Sequence, residues 1–88
     1  MDIDNIVAAE SPREVVLFLT RNRGISYPSL DRLYSRNNWI NVENNLELLK
    51  LVEAMKLDGS IEHSGGGLRK GTNWKEPSFL TENKYPID

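Results

Sequence analysis

The sequence predicts an α+β domain in which three core helices are followed by a C-terminal β-hairpin. Residues 46–57 are rich in leucine at helical spacing, which is typical of an amphipathic helix, and Gly59 ends that run. Residues 60–64 alternate between apolar and polar side chains, as a short strand does. Residues 65–75 combine four glycines with basic side chains, in the manner of a hairpin loop.

Two further helices are expected upstream. Ser11 followed by Pro12 is a typical helix start, because serine caps free N–H groups and proline is tolerated at the first helical position. That helix would run to about residue 22, with Gly24 as a left-handed C-cap. Residues 1–10 hold three aliphatic side chains at helical spacing, so we expect a short helix or a flap over the core.

A second core helix is expected to end near residue 36. Its inner face carries three large apolar side chains at i, i+3 and i+4: Leu30, Leu33 and Tyr34. The turn after it contains Trp39, which is expected to pack in the core, and Asn41, which is expected to cap the third helix over residues 42–57.

The end of the chain is expected to complete the hairpin. Residues 72–81 would form its return strand, with Phe79 in the core. The predicted domain therefore covers residues 11–81, and residues 82–88 are polar and are expected to be a flexible tail.

Composition limits the classes of protein. Eighty-eight residues suffice for one domain, and the net charge is −2. No apolar run approaches the roughly 20 residues of a membrane span, and the acidic start is unlike a signal peptide. The chain has no cysteine, so we expect a cytoplasmic protein without membrane attachment.

The outward side of the third helix is where a partner would be met. On a wheel of about 100° per residue, one broad arc carries the large apolar side chains expected to face the core: Leu46, Leu48, Leu49, Leu51, Val52 and Met55. The opposite arc carries Glu43, Glu47, Lys50 and Ala54. Two glutamates one turn apart therefore dominate the side that is free to bind.

These features resemble the winged helix-turn-helix superfamily over about residues 12–81. The most specific part is the aliphatic helix followed by Asp58-Gly59-Ser60-Ile61-Glu62, a basic loop and Trp74. The run Leu68-Arg69-Lys70-Gly71 with Trp74 is also similar to small bacterial regulators of pilus operons. The resemblance implies a three-helix core with a C-terminal β-hairpin wing, and a transcriptional regulator that reads duplex DNA. The register of residues 37–45 stays open, because this connection is longer than the superfamily minimum.

The candidate nucleic-acid contacts fall into three groups. The third helix would meet base edges, and the wing and the second helix would meet phosphates; the residues are Asn44, Asn45 and Lys50, then Arg69, Lys70, Asn73 and Lys75, then Tyr27, Ser29 and Arg32. A solvated helix face and a mobile hairpin tip remain the alternatives to these contacts.

A protein partner is the second hypothesis. Phosphates would repel Glu43 and Glu47, whereas a basic toxin or enzyme would attract them, as in an immunity or inhibitor protein. An exposed Trp74 on the hairpin would add an aromatic hot spot. A homodimer is left open.

The sequence offers no pattern for catalysis, a metal or a cofactor. His63 is the single histidine and is expected to lie exposed on a strand. Lys70-Gly71-Thr72 lacks the lysine directly followed by serine or threonine that a nucleotide-binding P-loop needs. We therefore expect neither an enzyme nor a cofactor.

Overall fold

A computed structural model describes residues 2–85 and confirms the predicted α+β class. The described residues form five helices and one two-stranded antiparallel sheet. The elements are α1 Ile3–Ala9, α2 Pro12–Leu19, α3 Tyr27–Arg36, α4 Asn45–Leu57, β1 Ile61–Ser64, β2 Gly67–Lys70 and α5 Ser78–Thr81. None of the helices in this range is long and apolar enough to cross a bilayer.

The first two helices, α1 and α2, pack against each other. Asp2 caps α1, its side chain accepting the Asp4 N–H at 3.0 Å. Helix α2 begins at Pro12 as predicted, but it ends at Leu19, three residues early. Thr20 follows it, fully buried. Because Gly24 lies beyond this end, its positive φ serves another contact, the close approach to Leu68 described below.

Helix α3 follows its predicted spacing, and its three inner side chains are all buried. The connection after it differs from the prediction. Asn38, Trp39 and Asn41 have positive φ angles, so the connection is not helical, and the third helix begins at Asn45 and not at residue 42. Asn41 instead donates its side-chain amide to the Ala8 carbonyl at 3.1 Å. The prediction that Asn41 caps the third helix is therefore wrong.

The hairpin is shorter and tighter than the sequence indicates. Ser64 pairs with Gly67, so the turn consists of Gly65 and Gly66 alone, both with positive φ. This is the geometry that favours two glycines in a two-residue hairpin turn. Ile25 adds an isolated bridge to Leu68, exchanging backbone hydrogen bonds of 2.9 and 2.7 Å.

Close backbone packing places Gly24 beside this bridge. A Cβ atom on Gly24 would lie 2.2 Å from the Leu68 carbonyl oxygen and 2.9 Å from the Arg69 Cγ. A side chain at residue 24 would therefore push the hairpin away from the connector between α2 and α3.

The predicted return strand over residues 72–81 is wrong. After Gly71 the chain turns back across the end of α4, because the Asn73 N–H donates to the Gly59 carbonyl at 2.8 Å. Pro77 then stands at the N-cap of α5. Phe79 is in the core as expected, but it lies on a helix.

The packed part of the chain extends to Tyr85. The Phe79 ring lies 5.4 Å from Phe18 and 5.5 Å from Tyr85, measured between centroids. The Tyr85 hydroxyl donates to Glu10 Oε2 at 2.6 Å, and Lys84 pairs with the same carboxylate at 2.8 Å. Of the tail predicted over residues 82–88, the last three lie outside the described residues.

Candidate functional site

The outer side of α4 is more apolar than the wheel predicts. Leu48, Val52 and Met55 fill the core from this helix. Leu46 and Leu49, which were expected to join them, are 54% and 42% exposed. The reason is geometric: α4 packs on α2 and β1 along one side only, so the apolar arc is wider than the surface that covers it.

Each base-reading candidate on α4 also has a contact within the chain. Asn44 is the N-cap, and its side-chain oxygen accepts the Glu47 N–H at 3.0 Å. Asn45 opens the helix, and its carbonyl accepts the Tyr27 hydroxyl at 3.3 Å. Lys50 pairs with Glu47 at 3.3 Å. Thus the Asn44 oxygen used here is also the atom that would accept from an adenine amino group.

The second-helix candidates lie at the start of α3. The pKa of Tyr27 is raised by burial and by the nearby Asp31 charge, so its hydroxyl stays protonated and can donate. Ser29 is exposed, its hydroxyl 2.9 Å from that of Ser26. Arg32 is exposed on the outer side of α3.

The hairpin cations lie on β2, so their predicted position in a long loop is wrong. Arg69 donates to the Ser64 carbonyl at 3.2 Å and stands directly across the sheet from Glu62. The Lys70 ammonium lies 4.2 Å above the Trp74 ring. Both cations therefore already have electron-rich neighbours within the chain.

The segment after the hairpin closes the corner between α4 and β1. Trp74 is half-buried, and its ring N–H donates to the Leu17 carbonyl at 3.0 Å. The Asn73 side chain donates to the Asp58 carbonyl at 2.9 Å. Lys75 is exposed beside them. Trp74 therefore packs against α2 with part of its surface, and it follows the hairpin instead of lying on a return strand.

The two predicted acidic residues meet at a cleft of about 360 Å³ between the start of α2 and the first turns of α4. Its lining is Ser11, Pro12, Arg13, Asn41, Val42, Glu43, Glu47 and Leu51. Pro12, Val42 and Leu51 are buried or half-buried and form an apolar floor. Glu43 is exposed and Glu47 is half-buried, and both acidic residues border this floor.

Arg13 is the one cation that lines the cleft, and it forms an ion pair with a residue outside the cleft. Arg13 lies 2.7 Å from Asp58 Oδ2 and 2.8 Å from Ser60 Oγ. Hydrogen bonds from the Ser60 hydroxyl, from Arg13 and from the Ser60 N–H lower the pKa of Asp58 to about 2. The cleft therefore keeps an acidic character.

Within residues 2–85, fewer than half of the lysines and arginines form ion pairs with carboxylates. Five of the eleven lysines and arginines pair with carboxylates within residues 2–85: Arg13, Arg36, Lys50, Lys56 and Lys84. Arg21 stacks on Phe18 at 3.7 Å.

His63 is exposed on β1, as predicted. Across residues 2–85, no cluster of three or more histidine, cysteine or acidic side chains is arranged to hold a metal ion.

The cleft floor was missed from sequence because the start of α4 was placed three residues too early. The signal that marks the true start is Asn44 followed three residues later by Glu47, the spacing of a capping box. Comparison with protein family models, with curated proteins and with solved structures finds no match for this chain.

Proposed function

We propose that this chain is a protein-binding module with the element order of a winged helix, and that its cleft receives a lysine or arginine side chain of a basic partner. The observation that carries the proposal is the pair Glu43 and Glu47 above an apolar floor. No metal, cofactor or catalytic group is needed for this role.

The apolar floor and the two glutamates match the two parts of a long cationic side chain. Its methylene stem would pack on Pro12, Val42 and Leu51, which recovers apolar contact without burying charge. Its head would meet Glu43 and Glu47 in charge-assisted hydrogen bonds. The Lys50 contact to Glu47 is an exposed pair and stabilises the fold little, so exchanging it costs little.

The charge of the whole chain favours the same class of partner. A net charge of −2 attracts a basic protein over a distance of about one Debye length, near 8 Å at physiological salt. A basic toxin or enzyme neutralised by this chain, as by an immunity or inhibitor protein, fits this chemistry best.

Arginine amide provides a direct probe of the cleft. Acetylated arginine amide is titrated into the isotope-labelled chain, and acetylated citrulline amide, which has the same shape without the charge, serves as the matched ligand control. We expect backbone amide shifts confined to residues 42–51 and to the start of α2 with arginine only, at millimolar affinity. Equal shifts with citrulline, or shifts centred elsewhere, would refute the proposed cleft.

A matched pair of variants tests the partner itself. Glu43→Lys with Glu47→Lys should abolish binding of the partner, once one is isolated. Glu76→Lys with Glu82→Lys makes the same change in net charge at exposed positions away from the cleft and should leave binding intact. If both double variants lose partner binding equally, the loss is due to the net charge of the chain and not to the cleft.

Duplex DNA binding, with Arg69 on the wing, is the second candidate. It is favoured by the approach of Gly24 to Arg69, because the exposed Arg23 directly precedes Gly24 in the chain. A fluorescent duplex titrated at about 50 and 200 mM salt tests it, since each phosphate contact makes affinity fall with salt. Salt-dependent binding that weakens in Arg23→Ala with Arg69→Ala would support DNA; no binding at low salt would exclude it.

A further inference from the structure

A seam of four exposed side chains runs along the outer side of α4. Leu46, Lys50, Glu53 and Leu57 follow one another at spacings of four, three and four, the pattern by which one helix presents a narrow stripe to another. Leu57 is 89% exposed, and the Lys50 and Glu53 side chains are 63% and 54% exposed. This seam lies opposite the core residues of α4, so the fold leaves it unpartnered.

The seam is complementary to a reversed copy of itself. Read from either end it runs leucine, charge, opposite charge, leucine. When two copies of α4 lie antiparallel about a two-fold axis between residues 51 and 52, Leu46 of each copy meets Leu57 of its partner. In the same arrangement, Lys50 of each copy meets Glu53 of its partner. A parallel pair would instead place lysine on lysine and glutamate on glutamate.

We propose that the partner of this seam is a second copy of the chain, docked through α4 in an antiparallel, isologous pair. A two-fold interface requires a surface that is complementary to itself, and this seam meets that condition in both its apolar and its charged positions. Ala54 lies beside the seam and, as a small side chain, lets the two helices approach closely.

The pair also satisfies the charges that the monomer leaves at the surface. Within one copy Lys50 pairs with Glu47 and Glu53 pairs with Lys56, each at i,i+3. Docking would join these pairs into alternating networks across the interface. Networks of this kind add orientation and specificity more than affinity.

The seam and the cleft are neighbouring surfaces on the same helix, and the ion pair between Lys50 and Glu47 joins them. Glu47 and Leu51 line the cleft and lie on the flank of α4, outside the seam. The dimer can therefore form with an empty cleft, and the cleft can bind when the seam is mutated. This inference does not depend on the proposed function.

The expected dimer is weak. A seam of three turns buries far less than the roughly 1,200–2,000 Å² of a stable interface. We therefore expect a dissociation constant between about 10 µM and 1 mM. Sedimentation equilibrium of the full chain over that concentration range measures it.

Single charge reversals test the pairing of the seam. Lys50→Glu places two glutamate pairs across the two-fold axis, and Glu53→Lys places two lysine pairs there. Each variant alone should lose self-association by about tenfold or more, because like charges then face each other. Mixing the two variants restores every opposite-charge contact, so the mixture should form heterodimers at near wild-type affinity.

Two controls separate a loss of folding from a loss of charge pairing. Circular dichroism at micromolar concentration checks that each variant keeps its helices, and Leu57→Ser offers a second disruption at an 89% exposed position. A wild-type chain that stays monomeric to 1 mM would overturn the proposal. So would single variants that associate like the wild type, or a mixture that fails to associate.

Discussion

Replacing Phe79 by alanine tests whether the segment after the hairpin is an integral part of the fold. This residue is 1% exposed and lies between the rings of Phe18 on α2 and Tyr85 near the end of the described chain. It is the one fully buried side chain of α5, which spans only Ser78–Thr81. If α5 belongs to the core, removing the Phe79 ring should lower the free energy of global unfolding.

The magnitude follows from the burial. Truncating a buried phenylalanine to alanine costs about 3–5 kcal/mol, including the cavity that remains. Helix α5 is a single turn and can partly collapse into the space, so we expect about 3 kcal/mol. An 88-residue domain has a free energy of unfolding of roughly 4–13 kcal/mol. The variant should therefore stay folded at low temperature and melt about 12–24 °C lower.

Urea unfolding followed by tryptophan fluorescence measures this loss, since Trp39 and Trp74 both pack on the core. Leu57→Ala is the control, because this leucine is on α4 and exposed, and it should change the free energy by less than about 0.5 kcal/mol. A loss below 1 kcal/mol for Phe79→Ala would mean that α5 opens separately from the core. The packed role assigned to α5 would then be wrong.

Two further predictions concern polar groups. The Tyr34 hydroxyl is buried with no hydrogen-bond partner in the described residues, so Tyr34→Phe should leave stability unchanged or raise it by up to about 1 kcal/mol in urea unfolding. A clear loss would reveal a partner such as a buried water. The pKa of Asp58 is lowered from 3.8 to about 2, so its carboxylate stabilises the fold above about pH 4, and that contribution is lost as the pH falls toward 2. Melting temperatures at pH 5 and pH 2 should therefore differ more for the wild type than for Asp58→Asn, and an equal difference would refute this role of Asp58.

The helices were predictable because their signals are local. The start of α2 at Pro12 and the inner face of α3 follow from single residues and from spacing. The start of α4 was not predictable in this way, because two asparagines could serve as its N-cap. Asn41 takes a positive φ and binds the α1 carbonyl of Ala8, a contact between residues 33 positions apart that no local pattern encodes.

In the hairpin, the local sequence does not determine the position of the turn. Four glycines in seven residues admit several turns, and spacing alone cannot choose among them. The choice is made by tertiary contacts, in which Ile25 bridges to Leu68 and fixes the register of β2. Once the turn is two residues long, Arg69 and Lys70 become strand residues, and the chain beyond them is released to pack on α2.

The candidate site was predictable in its chemistry and not in its shape. Glu43 and Glu47 were identified as a pair from sequence, and they do share one cleft. The floor beneath them needs Val42 outside the helix and buried, which depends on the non-helical connection. Sequence placed Leu46 in the core, so the seam could not be seen.

The exposure of α4 is what separates the two proposed functions. A recognition helix enters the major groove with polar side chains outward, because phosphates flank the groove and bases present hydrogen-bonding edges. Here the outward positions are held by Leu46, Leu57 and Glu53, and the one central cation, Lys50, has a glutamate partner. Leucines in that position lose nothing when they meet another apolar surface, whereas against DNA they would displace water from base edges without replacing its hydrogen bonds. The same helix that suggests DNA by its place in the chain therefore favours protein by its surface.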